Sequence, residues 1–200
     1  MTLHEQQDFE AKTAIKFAEK HNLWIDNANI LGEVFSSGHE NNNYVDYINK
    51  IVYKVNNLNN SNTITALFDR IVIHNELFPE THYDFVGFTG NKKRLTSIYP
   101  IFKQNLIVNA QLAHLKEIKT YMESLGFIQT TPESYVNKDY LVFDLYPRNV
   151  LKDDAGTIFV VDAEFKKINE SDKKTIDKIL KGYNEDKGID FNDDFPNEQF

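Results

Sequence analysis

The sequence predicts an α+β fold in which small groups of antiparallel strands alternate with amphipathic helices. Three observations lead there. Apolar residues recur at helical spacing in three segments, short β-like runs bounded by turn residues lie between them, and 41% of the 200 residues are hydrophobic. That content supports a core for one compact domain or a two-lobed unit.

Residues 5–20 carry Phe9, Ala11, Ile15, Phe17 and Ala18 among charges, a leading helix that ends at His21-Asn22. From Asn29 the texture changes to β-like runs at 30–35, 43–48 and 51–55, the first two joined by the small-residue turn Ser36-Ser37-Gly38-His39-Glu40. Thr63 opens a second helix whose Ile64, Leu67, Phe68, Ile71 and Phe78 share one face up to Pro79. Asn75 lies within that apolar stripe and His74 on its border. The two are expected to form a satisfied buried hydrogen-bond pair, because a polar group in an apolar stripe needs a partner.

A hairpin is expected next, with strands at 83–88 and 95–99 around Gly90-Asn91 and with Pro100 ending the second strand. Leu112, Leu115, Ile118, Met122 and Leu125 define a third helix, stopped by Gly126. Short strands follow at 140–143, 150–152 and 158–161, then a helix over 170–180 and a solvated acidic tail from Tyr183.

A net charge of −8 excludes broad attachment to a nucleic-acid backbone, which needs clustered Lys and Arg. The absence of cysteine removes disulfides, thiolate metal sites and a cysteine nucleophile, and favours a cytoplasmic setting. No apolar run approaches the roughly 20 residues that a membrane span needs.

The chemically informative string is DLYPRNVLKDDAGTIFVVDAE, in which Asn149 follows Asp144 by five residues and Asp162 follows Asn149 by thirteen. Phosphoryl transfer from a nucleotide asks for an Asp that receives the acceptor's proton, an Asn a few residues on that holds Mg²⁺, and a second Asp that holds it against the phosphates. Mg²⁺ suits this set, since it takes only one or two carboxylates and prefers oxygen. Upstream, Lys54 ends a strand-like run and shares a face with Val52 by the period of two. That alternation would turn Lys54 inward.

These features resemble the protein-kinase-like superfamily, whose catalytic loop reads HRDxxxxN and whose metal triplet reads DFG; Pro147 falls where that superfamily often has proline. More narrowly, GHENNNYV, the segment RIVIHNELFPETHYDFVGF, DLYPRNVL and VVDAE resemble the kinase-like domain of polyvalent proteins from phages and conjugative elements, over about residues 23–165. The resemblance implies a minimal two-lobed fold. An N-terminal helical extension (1–27) would precede an antiparallel N-lobe with one helix (28–100), followed by a reduced helical C-lobe (101–182) and the tail (183–200).

It also implies an ATP- and Mg²⁺-dependent phosphotransferase acting on an unidentified hydroxyl of a protein or small molecule. Asp144 would be catalytic and Asn149 and Asp162 the metal ligands. Lys54, Gly38 and Glu40 would meet ATP, with Ile101, Phe102 and Lys103 as the hinge whose backbone contacts adenine. Gly38 would contribute backbone N–H groups, and Glu40 is a candidate acid for Lys54, because Asp69 and Glu76 lie off the buried stripe of the second helix. The triplet here is Asp162-Ala163-Glu164, and Val142-Phe143 stand where the superfamily has His-Arg. These departures keep open a nucleotide-binding pseudokinase or a mobile-element interaction module.

Overall fold

The computed structural model describes residues 1–186. The expected acidic tail lies outside the described residues from 187 on, while Tyr183–Asp186 continue the last helix. The chain divides into two compact units, one spanning Met1–Val108 and the other beginning at Asn109.

In the first unit, helix α1 (Leu3–His21) starts at a capping box in which Thr2 and Glu5 satisfy each other's backbone N–H. Its small buried residues Ala11, Ala14 and Ala18 pack against Phe88 and Ile98, so this helix belongs to the unit's core and is no mere extension. Strands β1 (Glu33–Ser37), β2 (Asn41–Asp46), β3 (Ile51–Asn56), β4 (Asp84–Gly90) and β5 (Ile98–Asn105) form an antiparallel sheet in the order β1-β2-β3-β5-β4. The segment after α1 covers the β4 edge: Leu23 O accepts from Phe88 N and Ile25 N donates to Phe88 O. This approach requires glycine at position 87, where φ is +156° and a Cβ would sit 2.2 Å from Leu23 O.

The sheet has two occupied faces. Lys54 pairs across with Asn43 and Phe102, and Phe102 with Phe85, so these side chains share one face. Helix α2 (Ile64–Leu77) covers it with Leu67, Phe68 and Ile71. On the other face Val55 and Ile101 pack with Leu31.

Strand β5 corrects an expectation. Pro100 lies inside it opposite Phe88, and the strand continues to Asn105. The β3 ladder ends at Ile101, so the missing N–H of Pro100 costs no bond on that side.

His74 and Asn75 are satisfied, though not by each other. Buried His74 places Nε2 3.1 Å from both Thr81 O and Thr81 Oγ1. Asn75 accepts from Tyr83 N at 2.7 Å and donates to Tyr83 O at 2.9 Å. Burial first, then the nearby positive charge of Lys54, pulls the His74 pKa from 6.5 to about 3. A depressed folded-state pKa means that stability is complete above the unfolded value and falls as pH drops toward the folded one. Between pH 7 and pH 5 the unfolding free energy should therefore fall by about 2 kcal/mol on account of this ring. Urea melts at both pH values check it, and a His74→Gln variant should lose most of that slope.

The second unit carries more strand than the reduced helical lobe expected from the sequence. Among the described residues it contains β6 (Gln111–Leu112), α3 (Leu115–Ser124), β7 (Ile128–Thr131), β8 (Ser134–Val136), β9 (Tyr140–Phe143), β10 (Val150–Lys152), β11 (Ile158–Val160), β12 (Glu164–Lys167) and α4 (Glu170–Asp186). Two small sheets result, ordered β11-β10-β6 and β12-β9-β8-β7. Leu112 belongs to β6 rather than to the third helix, because His114 caps α3 with Glu117 closing the box. Gly126 follows the helix at φ +81°, as expected for a helix stop. Ile118, Met122, Tyr135, Val136, Val142, Leu145 and Val150 are fully buried.

Candidate functional site

The second unit brings its three predicted residues together by strand pairing. Val150 opposite Val160 makes β10 and β11 a hairpin, so the residue before β10 meets the residues after β11. Asn149 O accepts from Val161 N at 2.9 Å and from Asp162 N at 3.3 Å. The tip is held by Asp153 Oδ1, which accepts from Ala155 N and Thr157 N. In the other sheet Glu164 pairs with Phe143, which returns the chain after Asp162 to the strand that ends at Asp144. The thirteen-residue gap is closed by two local ladders.

Between β9 and β10 the loop is anchored at fully buried Leu145, whose N–H donates to Glu133 O, and turns through Pro147–Asn149. Asp144 takes a left-handed φ of +62°, a region that Asp and Asn enter more readily than other side-chain-bearing residues. Asn149 Nδ2 donates to Asp144 O at 2.7 Å and to Asp144 Oδ2 at 2.8 Å. Arg148, stacked over Tyr146, donates to Asp144 Oδ1 at 3.0 Å. Burial raises the Asp144 pKa, Asp162 and Glu133 add to the rise, and Arg148 and Asn149 oppose it.

The donor set fits Mg²⁺. Both Asn149 N–H groups are used on Asp144, which leaves its Oδ1 as the oxygen for a cation. The Asp162 carboxylate stands near enough to Asp144 to raise its pKa, an arrangement of oxygens that a divalent cation relieves. Among the described residues no group of three or more His, Asp or Glu that could hold a metal ion by itself is present. One carboxylate and one amide oxygen would leave the rest of a Mg²⁺ shell to water and phosphate oxygens.

In the first unit, buried Lys54 donates from Nζ to Tyr83 Oη at 2.7 Å and lies 4.9 Å from that ring's centroid. Buried Glu40 forms a 2.6 Å ion pair with Arg70 of α2 and accepts from Asn60 at 3.2 Å. The expected pairing of Glu40 with Lys54 is thus replaced by a bond to a helix base. Sequence reasoning sought an acid on α2 and passed over Arg70, although Arg70 stands three residues after Leu67 and four before His74, on the buried face. Gly38 donates its own N–H to Asn41 O at 2.8 Å, so this amide closes the turn and is not offered to a ligand. What remains to Gly38 is its missing side chain.

Ile101, Phe102 and Lys103 are not a hinge. They lie inside β5, paired with β3 on one side and with β4 on the other, and Ile101 and Phe102 are buried. Their backbone groups serve two ladders, and bonding toward the β3 side runs on to Leu106, whose N–H donates to Lys50 O at 2.8 Å.

Residues 7–169 match the model of a family described as serine/threonine/tyrosine kinases found in polyvalent proteins. The chain belongs to this family. No curated protein and no solved structure matches it. As a polyvalent-protein kinase it pairs a five-stranded antiparallel sheet and buried lysine with an Asp-x4-Asn loop and a following Asp. No helix among the described residues is long and apolar enough to cross a membrane.

Proposed function

We propose that this polyvalent-protein kinase transfers the γ-phosphoryl group of ATP to a hydroxyl acceptor. The observation that carries the reading is the joining of Asp144, Asn149 and Asp162 by the two ladders of the second unit. Asp144 receives the acceptor's proton as the acceptor oxygen bonds to the γ-phosphorus and the bond to the β,γ-bridging oxygen breaks, releasing ADP. Asn149 Oδ1 and Asp162 would hold Mg²⁺, which when bound neutralises charge on the phosphates. Lys54 meets the α- and β-phosphates as a compact cation, and Glu40 and Gly38 keep the covering turn in shape.

The acceptor is a hydroxyl of a protein or a small molecule, and the setting is the cytoplasm of a host that carries a mobile element. A nucleotide-binding chain without transfer is the second reading. It is favoured by Arg148, which occupies Asp144 Oδ1.

Thermal-shift titration with ATP, with and without Mg²⁺, separates a nucleotide site from an interaction module. With ATP at about 100 times its Kd, the midpoint should rise by about 5 °C or more. The rise should shrink when Mg²⁺ is withheld. No shift at millimolar ATP overturns the reading.

A further inference from the structure

The His74-Asn75 to Thr81-Tyr83 connection has a structure that the proposed reaction does not use. It is a closed buckle. Asn75 holds both backbone groups of Tyr83, His74 holds Thr81, and buried Gln104 of β5 donates to Thr81 O at 2.5 Å. The His74 ring stands edge-on to the Tyr83 ring at 4.7 Å, and Phe102 packs on Tyr83 at 6.1 Å. Tyr83 is therefore fixed at its backbone by one residue and at its ring by two.

We propose that Tyr83 is a positioning residue for Lys54: the buckle at the end of α2 aims the phenol so that its oxygen accepts from the Lys54 ammonium and its ring bears on the same cation. The carboxylate of Glu40 meanwhile joins the turn to Arg70. Two jobs are thus divided here. An acid in the turn couples the turn to α2, and a tyrosine carried by the α2–β4 connection directs the lysine. A phenol is neutral where a carboxylate is charged, so this bond directs the ammonium without itself forming an ion pair. The effect on nucleotide binding rests on the assignment of Lys54 to the phosphates of ATP.

Tyr83→Phe tests this, since it keeps the ring and its packing and deletes only the acceptor. The readouts are acetylation of individual lysines by an amine-specific reagent, mapped by mass spectrometry, and the apparent Kd for ATP in the presence of Mg²⁺. Lys54 should be modified about tenfold faster than in wild type, as expected when an ammonium loses one charge-assisted acceptor. Exposed Lys138 should be unchanged. The apparent Kd for ATP should rise by a similar factor, and Asn75→Ala, which opens the buckle, should move both in the same direction.

A role in packing alone would lower the melting temperature and leave the Lys54 rate unaltered relative to the other lysines. A folded Tyr83→Phe protein with the wild-type Lys54 rate overturns the proposal. A changed rate with unchanged ATP affinity upholds the hold of Tyr83 on Lys54 and removes Lys54 from the phosphate site.

Discussion

Asp144→Asn is expected to lower ATP turnover by about 10²- to 10⁴-fold, the range over which a positioned acid or base contributes. The substitution is nearly silent for the fold. Position 144 has φ +62°, which Asn tolerates well, and the amide keeps an oxygen for the Asn149 Nδ2 or the Arg148 bond. Burial and two neighbouring carboxylates hold the Asp144 pKa above its ordinary 3.8. A group that accepts a proton must begin ionised, so the acid limb of the wild-type rate profile should lie above where an unperturbed aspartate would put it. The limb should be absent from whatever activity the variant retains. Initial rates of ATP turnover across pH, compared with circular dichroism of the two proteins, check both statements.

The second large effect is on stability. Arg70→Met should cost about 3–5 kcal/mol, the range for removing one partner of a buried ion pair. Both side chains are nearly enclosed, at 11% and 8% exposure, so solvent does little to screen the carboxylate that the substitution strands. Glu40→Gln added to Arg70→Met removes that stranded charge and should recover most of the loss in chemical denaturation. If the single and double variants unfold alike, the pair is not what anchors the turn to α2.

The parts of this fold that show in the sequence are those decided by local pattern. Alternation marks β2 and β3, the Thr63 cap and the Leu67-Ile71 face mark α2, and the loop from Asp144 to Asn149 is short enough that spacing alone predicts their meeting. Asp162 joins them through a hairpin whose turn, Asp153 to Gly156, is also visible in the sequence.

What escaped the sequence depends on the opposite side of a contact. Pro100 reads as a strand end unless β3 is known to stop at Ile101, and the hinge expected at Ile101, Phe102 and Lys103 failed with it. Strands β7, β8 and β12 hold polar residues such as Gln129, Thr130, Ser134 and Lys166 and give little alternation. Arg70 and Tyr83 become conspicuous only when Glu40 and Lys54 are placed beside them.

The central claim is that the segment around Asp144 carries out phosphoryl transfer on a nucleotide. Its most direct test follows radiolabel from ATP carrying the label at the γ- or at the α-phosphate, with Mg²⁺ present and wild type run beside Asp144→Asn. The predicted result is γ-label on an acceptor or released as phosphate by wild type, no transfer of α-label, and little of either from the variant. Transfer of α-label, equal release by the two proteins, or no γ-label from wild type that binds ATP would contradict it.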